Sequence, residues 1–435
     1  MRQPLPDTQD TTLTRPAAAA PSVAMTAAER RRAFQILFFA LVWMGSGQSL
    51  MFAILPSLAR DLGLTEFLVG AIFSVSATIW VFTSPYWGRR SDVWGRKPVI
   101  LIGLCAFGLS MLLFSGVIAA QMAGMIAGAA LFPLLVATRA IYGIAGSGAH
   151  PAAQAYVADR TTAHERASGV ATLGAAFGLG VTLGPGIGAA LVVLGVLAPL
   201  FFVAVLALAS AVAVWWFLPE RTMPVLRPDQ PKLSWRDKRV LPFIIFSLVA
   251  NTIGAVPIQT MAFLFRDALQ LSASDTAQFA GVGLMASSMA GLFAQLVLVQ
   301  RLKLTSNQLI QWGTVLAGLS FAIFAVATQF GPLILGAVLS GLGFGLLRPG
   351  FSAAASLNVR PWEQGAVAGL LGSTAGAGWI FAPLLGGGLY EKVHHSAPFV
   401  LGVVVMAGLM VYALLEPRLK TNALTIREDD DQPTG

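Results

Sequence analysis

Charge is what this sequence has least of. Only 11% of its 435 residues are Asp, Glu, Lys or Arg, against about 25% in an ordinary soluble domain. With 56% hydrophobic residues, a soluble fold of this length cannot hide its apolar surface. Cysteine is scarcer still: Cys105 stands alone, which excludes a disulfide framework within the chain. It lies in a Leu/Ile/Gly/Phe run and is given no role. No Gly-Lys-Ser/Thr phosphate loop, no zinc-spaced His/Cys set and no paired carboxylates at the mouth of an apolar run are found. These absences speak against an enzyme, a nucleotide-driven machine, a metal site and any cofactor. The net charge of +8 comes without a basic-aromatic stripe, so nucleic acid is not the expected partner. The first residues, to about Glu29, are rich in Pro, Ala and Thr and lack the leucine-rich core of a cleavable signal peptide.

What the sequence has in quantity is apolar runs. They fall near 34–57, 67–87, 98–119, 126–152, 167–190, 197–218, 240–265, 276–299, 306–328, 332–356, 365–389 and 398–415. Twelve crossings of about 20 residues each need about 240 residues, close to the apolar content available. The expected fold is an all-α membrane protein, twelve transmembrane helices in two six-helix bundles related by pseudo-two-fold symmetry. Its expected parts are a disordered cytoplasmic tail (1–29), a first bundle (30–218), a cytoplasmic linker (219–239), a second bundle (240–416) and a second tail (417–435). The linker carries four prolines and six Lys/Arg, as a loop between bundles should. With the N-terminus inside, 23 of the 28 basic residues lie on the inner side and only Arg60, Arg266 and Lys392 on the outer. That asymmetry places both termini in the cytoplasm of a bacterial-type inner membrane.

The remaining two basic residues, Arg139 and Arg348, fall inside runs 4 and 10, 209 residues apart, as parallel repeats of half the chain require. An arginine at mid-bilayer costs roughly 2.5–3.5 kcal/mol on insertion scales, so each should face the protein interior. On a helical wheel Gly143, Gly146 and His150 lie within about 40° of Arg139, a face suited to a cavity or a close helix contact. His150 is a candidate proton carrier because imidazole titrates near neutral pH. Gln48, Asn251 and Gln259 are polar residues inside runs and candidate site residues, with Trp379 or Trp80 as aromatic walls. A second echo joins Gly184-Pro185-Gly186-Ile187-Gly188 at the end of run 5 to Ala382-Pro383 with Gly386 to Gly388 at the end of run 11.

Between runs 2 and 3 stands Gly88-Arg89-Arg90-Ser91-Asp92-Val93-Trp94-Gly95-Arg96-Lys97-Pro98, read as a tight cytoplasmic turn with Gly88, Asp92, Gly95 and Arg96 as its gating residues. Its spacing, Gly-x-x-x-Asp-x-x-Gly-Arg-Lys, resembles the loop signature of the major facilitator superfamily. Arg139-x-x-x-Gly143 in run 4 is similar to a signature of that superfamily's twelve-span drug:proton antiporters. Gly180-x-x-x-Gly184-Pro185-x-x-Gly188 resembles the antiporter signature of run 5, where glycine and proline let a helix bend. The resemblance covers about Phe34 to Glu416. It implies two bundles rocking about a central site that opens alternately to each side. Because a carboxylate can dock on the amides of a helix N-terminus, Asp92 is expected against the start of helix 11, near Glu363 to Gly365, in an outward-facing state.

The expected function is therefore a secondary active transporter exporting amphiphilic small molecules or drugs by alternating access, with protons as a candidate coupling ion. Many proton-coupled members carry an acid in helix 1, where this chain has Trp43-Met44-Gly45-Ser46-Gly47-Gln48. An organic-anion carrier holding carboxylates with Arg139 and Arg348 is the alternative, and a sensor on the same fold a third. The partners expected are a small-molecule substrate and membrane lipid, with the protein acting as a monomer.

Overall fold

The computed structural model describes residues 26–161, 163–220, 233–360 and 363–420. Residues 1–25 of the tail expected over 1–29, most of the linker (221–232) and residues 421–435 of the tail expected over 417–435 lie outside them. Among the described residues there are no strands, and twelve helices are long and apolar enough to cross a membrane. They are α1 (Ala28–Ala59), α2 (Glu66–Trp94), α3 (Arg96–Met122), α4 (Gly128–Ala158), α5 (Ser168–Leu194) and α6 (Ala198–Phe217) in the first half. The second half holds α7 (Leu241–Leu269), α8 (Ala273–Leu302), α9 (Ser306–Val326), α10 (Phe330–Leu357), α11 (Gln364–Lys392) and α12 (Ala397–Leu415).

Polar caps begin several of these apolar helices. Thr26 and Glu29 form a reciprocal capping box, so Glu29 belongs to the first turn of α1 rather than to a tail. Thr65 and Ser272 cap α2 and α8, each hydroxyl accepting from the backbone amide three residues on. They are equivalent positions in the two halves, a trace of the duplication.

The same packing scheme recurs in each half. The pairs α1–α5, α3–α6 and α2–α4 of the first bundle return as α7–α11, α9–α12 and α8–α10 in the second. The α1–α5 contact requires glycine: a Cβ on Gly180 would overlap the Val42 carbonyl, and one on Gly184 would lie 2.5 Å from the Ser46 carbonyl. The signature read as a bend in α5 is thus also a flat face for α1, and the helix runs unbroken through Pro185. The halves meet through α2–α11 and α5–α8. There Gly70 lies under the Pro383 carbonyl and Gly281 under that of Pro185. The two echoed prolines sit at the two matching seams.

Two local expectations are corrected. Residues 88–98 are not one tight turn: α2 continues through Gly88 and Asp92 to Trp94. The reversal occurs at Gly95 alone, whose φ of +98° lies where a Cβ is strained. Gly88 is ordinary helix with open space around it. In α4 a 3-10 turn at Gly146–Gly148 advances each residue by about 120° instead of 100°. Its three residues rotate His150 by about 60° away from the stripe that starts at Arg139.

Candidate functional site

At one end of the molecule the halves are clamped by charge. Arg60 follows α1 and pairs with Asp267 of α7 and with Glu66 of α2. Arg266 of α7 pairs with Asp61 at 2.6 Å and donates to the Ser57 carbonyl at 2.8 Å. The arginine of each Arg-Asp dipeptide meets the aspartate of the other, a reciprocal arrangement across the pseudo-two-fold axis. Tyr390 of α11 donates to Asp267 at 2.7 Å, and Glu391 accepts from the Phe67 amide at 2.9 Å. The hydrogen bond to Asp267, ahead of that to Glu66, pushes the Arg60 guanidinium further up in pKa, so it stays charged. Sequence reasoning placed Arg60 and Arg266 only as outer basic residues and passed over Asp61, Glu66, Asp267 and Tyr390. The repeated Arg-Asp dipeptide, 206 residues apart, is the signal that could have found them.

In the interior of the first half, Arg139 is 1% exposed. Its Nη2 donates to Gln48 Oε1 of α1 at 3.2 Å, and its Cζ lies 4.7 Å from the centre of the Tyr142 ring. Nε and Nη1 find no hydrogen-bond partner among the described residues. Gly143, on the same stripe, presses on Ile79 and Ser76 of α2. His150 stands apart, its ring 5.1 Å from that of Phe177 and its Nε2 3.5 Å from Gln154.

The second half contributes a cavity of about 350 Å³ walled by α7, α10 and α11. It runs from Ser356 and Gln364, at the α10–α11 end, to Trp379 near mid-helix. Arg348 is exposed into it, beside Asn251 and Leu371, and among the described residues has no carboxylate partner. The Asn251 side chain reaches Thr374 at 3.4 Å. Trp379 stacks on Phe52 of α1, ring centres 5.3 Å apart and 16° from parallel, and so closes the cavity against the opposite half. Gln259, two turns further along α7, is buried and lies off the wall.

At the end opposite the clamp, Arg96 gathers the α2–α3 corner. It pairs with Asp92 at 2.6 Å and with Asp159 of α4 at 2.9 Å, and donates to Ser91 at 2.6 Å. Glu220, after α6, accepts from the Lys97 amide at 3.0 Å and lies where a Cβ on Gly95 would. Its carboxyl is pushed up by burial, against the pull of that amide. Glu363, before α11, pairs instead with Arg239 at 3.0 Å. Asp92 and Glu363 are each tied within their own half.

The structure thus brings together Arg139 with Gln48, Asn251 with Arg348 and Trp379, and Asp92 with Gly95 and Arg96. Twelve spans in two repeated bundles, clamped at one end and grooved at the other, narrow the field, and the sequence decides it. The chain matches the Major Facilitator Superfamily over residues 37–306 and 306–434.

The chain belongs to the major facilitator superfamily.

It is accordingly a multi-pass membrane protein and a secondary transporter of small molecules, not an enzyme. It is 28% identical over 395 residues to multidrug resistance protein 2 of Bacillus subtilis, covering 88% of this chain and 94% of that one. Quinolone resistance protein NorA of Staphylococcus aureus is 24% identical over 391 residues, with 88% and 95% covered. A POT family transporter in complex with 5-aminolevulinic acid shares the fold at a TM-score of 0.70 and 15% identity, with 90% and 97% covered. The human organic anion transporter MFSD10 shares it at 0.61 and 20%, with 88% and 99% covered.

For a major facilitator protein the clamp should set which end is shut. Ion pairs open to water contribute about 0.2–1 kcal/mol each, and Arg60→Ala removes one such pair, with Asp267, and a more buried one, with Glu66, leaving both carboxylates without their shared cation. Met285, which packs over Gly186 across the seam, reports opening when replaced by cysteine in a Cys105→Ser background. Labelling of purified Met285→Cys by a maleimide is expected to rise about fivefold on adding Arg60→Ala, in line with the loss of about 1 kcal/mol. An unchanged rate would mean that the clamp does not hold the seam.

Proposed function

We propose that this protein exports amphiphilic small molecules, drugs among them, by alternating access, in exchange for protons, from the cytoplasmic side of a bacterial inner membrane. The observation that carries the reading is the mixed wall of the α7–α10–α11 cavity: Trp379, Phe351 and Leu371 beside Arg348, Asn251 and Gln364. Such a wall suits ligands with an apolar body and a polar end, and its volume of about 350 Å³ falls in the range of about 300–1,000 Å³ typical of small-molecule pockets. The names of the Bacillus and Staphylococcus relatives support the same substrate class. The distribution of Lys and Arg supports both termini inside, so the clamped end is the outer one and the cavity opens to the cytoplasm. In the opposite state Asp92 would exchange part of its hold on Arg96 for the amides at the start of α11. A carboxylate at such a site gains about 0.3–1 kcal/mol. Beyond Glu29 in its first turn, helix α1 offers no acid, which leaves His150 and Asp92 as candidate proton carriers, and the transporter acts as a monomer.

A second reading, an organic-anion carrier, is favoured by one observation, Arg348 in the cavity with no carboxylate partner among the described residues. Binding to purified protein separates the two. For the exporter, Arg348→Gln is expected to leave affinity for lipophilic cations within about twofold or to improve it, because an unscreened like charge disfavours a cation. A tenfold or larger loss confined to carboxylates would establish the anion carrier instead. The Arg348→Gln protein should fold normally, since its side chain is exposed to the cavity.

A further inference from the structure

A second cavity, of about 300 Å³, lies outside the transport site, between α1 and α6 of the first half. Its walls include Arg32, Ile36, Phe39 and Trp43 of α1 and Ala209 and Ala213 of α6. The α1 residues recur every three or four positions and so form one stripe along the helix. The two alanines are one turn apart and leave α6 hollow there. From Arg32 to Trp43 is 11 residues, about 16 Å along a helix, or roughly half of a hydrocarbon core about 30 Å thick. The groove therefore spans the depth of a single leaflet.

Its two ends differ. Arg32 is exposed, and its guanidinium lies 3.8 Å over the Phe217 ring. Next to that ring Trp215 and Trp216 are 63% and 70% exposed, the placement of aromatic side chains that sit at headgroup level. Arg30 pairs with Glu165 at 3.3 Å, but Arg32 has no carboxylate partner among the described residues, and Arg31 beside it is exposed. Trp43, at the other end, rests edge-on against Phe202. The groove opens on the exposed apolar face of α6, where Val205 and Val212 also point outward.

A cation at headgroup level that continues into an apolar trough one leaflet deep matches one ligand in shape and in charge. We propose that the α1–α6 groove binds an anionic glycerophospholipid, its phosphate against Arg32 and one acyl chain along Ala209 and Ala213. Basic pockets between membrane helices select anionic headgroups in this way, and Arg32, with no carboxylate partner among the described residues, offers them its charge. The site is separate from the transport cavity, which is built by α7, α10 and α11 of the other half.

The test is native mass spectrometry of the full chain released from nanodiscs holding equal amounts of palmitoyl-oleoyl phosphatidylglycerol and phosphatidylcholine. Wild type is expected to retain one phosphatidylglycerol about tenfold more often than phosphatidylcholine. Arg32→Gln should bring the two near parity without changing yield, because the side chain is exposed. Ala209→Phe, which fills the trough, should lower retention of both lipids. Equal retention of the two lipids by wild type, or an undiminished preference in Arg32→Gln, would overturn the proposal. So would displacement of the bound phosphatidylglycerol by tetraphenylphosphonium, which would make the groove a portal for amphiphilic cations.

Discussion

Replacing Gly180 by alanine is expected to cut the yield of monodisperse protein at least fivefold, although one methyl group is the smallest change a side chain can make. In most helix interiors the same substitution stabilises by about 1 kcal/mol, because alanine is the better helix former. Here the sign reverses. The new Cβ would overlap the Val42 carbonyl and stand 2.9 Å from the Ser46 amide nitrogen, and both obstacles are backbone of α1. No rotamer change relieves such contacts, so α1 and α5 must part along their whole packed face. Overpacking of this kind costs about 1–3 kcal/mol and occasionally more. Gly174, on the same helix, has nothing within 4 Å of its would-be Cβ, and Gly174→Ala should express as well as wild type or better. Size-exclusion profiles of the two variants side by side check the prediction. Equal profiles would mean that the helices do not touch as described.

Arg139→Met is expected to fold at least as well as wild type and to lose transport more than tenfold. A buried guanidinium satisfied through Nη2 alone, by one amide oxygen, is expensive. Replacing even a buried ion pair by apolar residues of similar volume is often neutral or stabilising by about 1–4 kcal/mol, and the Arg139 guanidinium keeps two of its nitrogens unused among the described residues. An arginine that costs stability where it sits must be kept for a state or a step in which its remaining donors are used. Arg139→Lys keeps the charge but lacks the planar fork of five donors. It should fold normally, bind ligands of every charge about as well as wild type and still fail to transport. Thermal stability and flux measured on the same preparations decide the matter. A methionine variant that transports normally would show that transport does not need Arg139.

The architecture was legible because lipid leaves few choices. Every backbone group must be satisfied within the membrane, so apolar runs of sufficient length become helices, and the spacing of Arg139 and Arg348 with the echo of Pro185 and Pro383 announced the duplication. Those prolines proved to lie at the matching seams. Less legible was anything that depends on rotation. A 3-10 turn at Gly146–Gly148 moved His150 off the stripe that an unbroken helix would have given it. Gly88 resembled the start of a turn, but Gly95 alone carries the positive φ, and α2 is helical up to it. The clamp was hidden for another reason: Arg60 and Arg266 had a sufficient explanation in topology, and only distance in three dimensions shows that each faces the other's aspartate. Asp159, the second partner of Arg96, lies 63 residues along the chain, with nothing local to point to it.

A secondary transporter must move substrate across a membrane through this one chain. Protein reconstituted in liposomes with DNA trapped inside offers the most direct measurement, using ethidium, whose fixed charge keeps a pH gradient from trapping it unaided. With the lumen made acidic, wild type should take up ethidium faster than Arg139→Met or empty liposomes, and collapsing the gradient should slow it. His150→Gln, run in parallel, should lose the response to the gradient if the histidine carries the proton and keep it if Asp92 does. Binding of ethidium without any protein-dependent uptake, with or without the gradient, would contradict the account and make the chain a sensor built on a transporter fold.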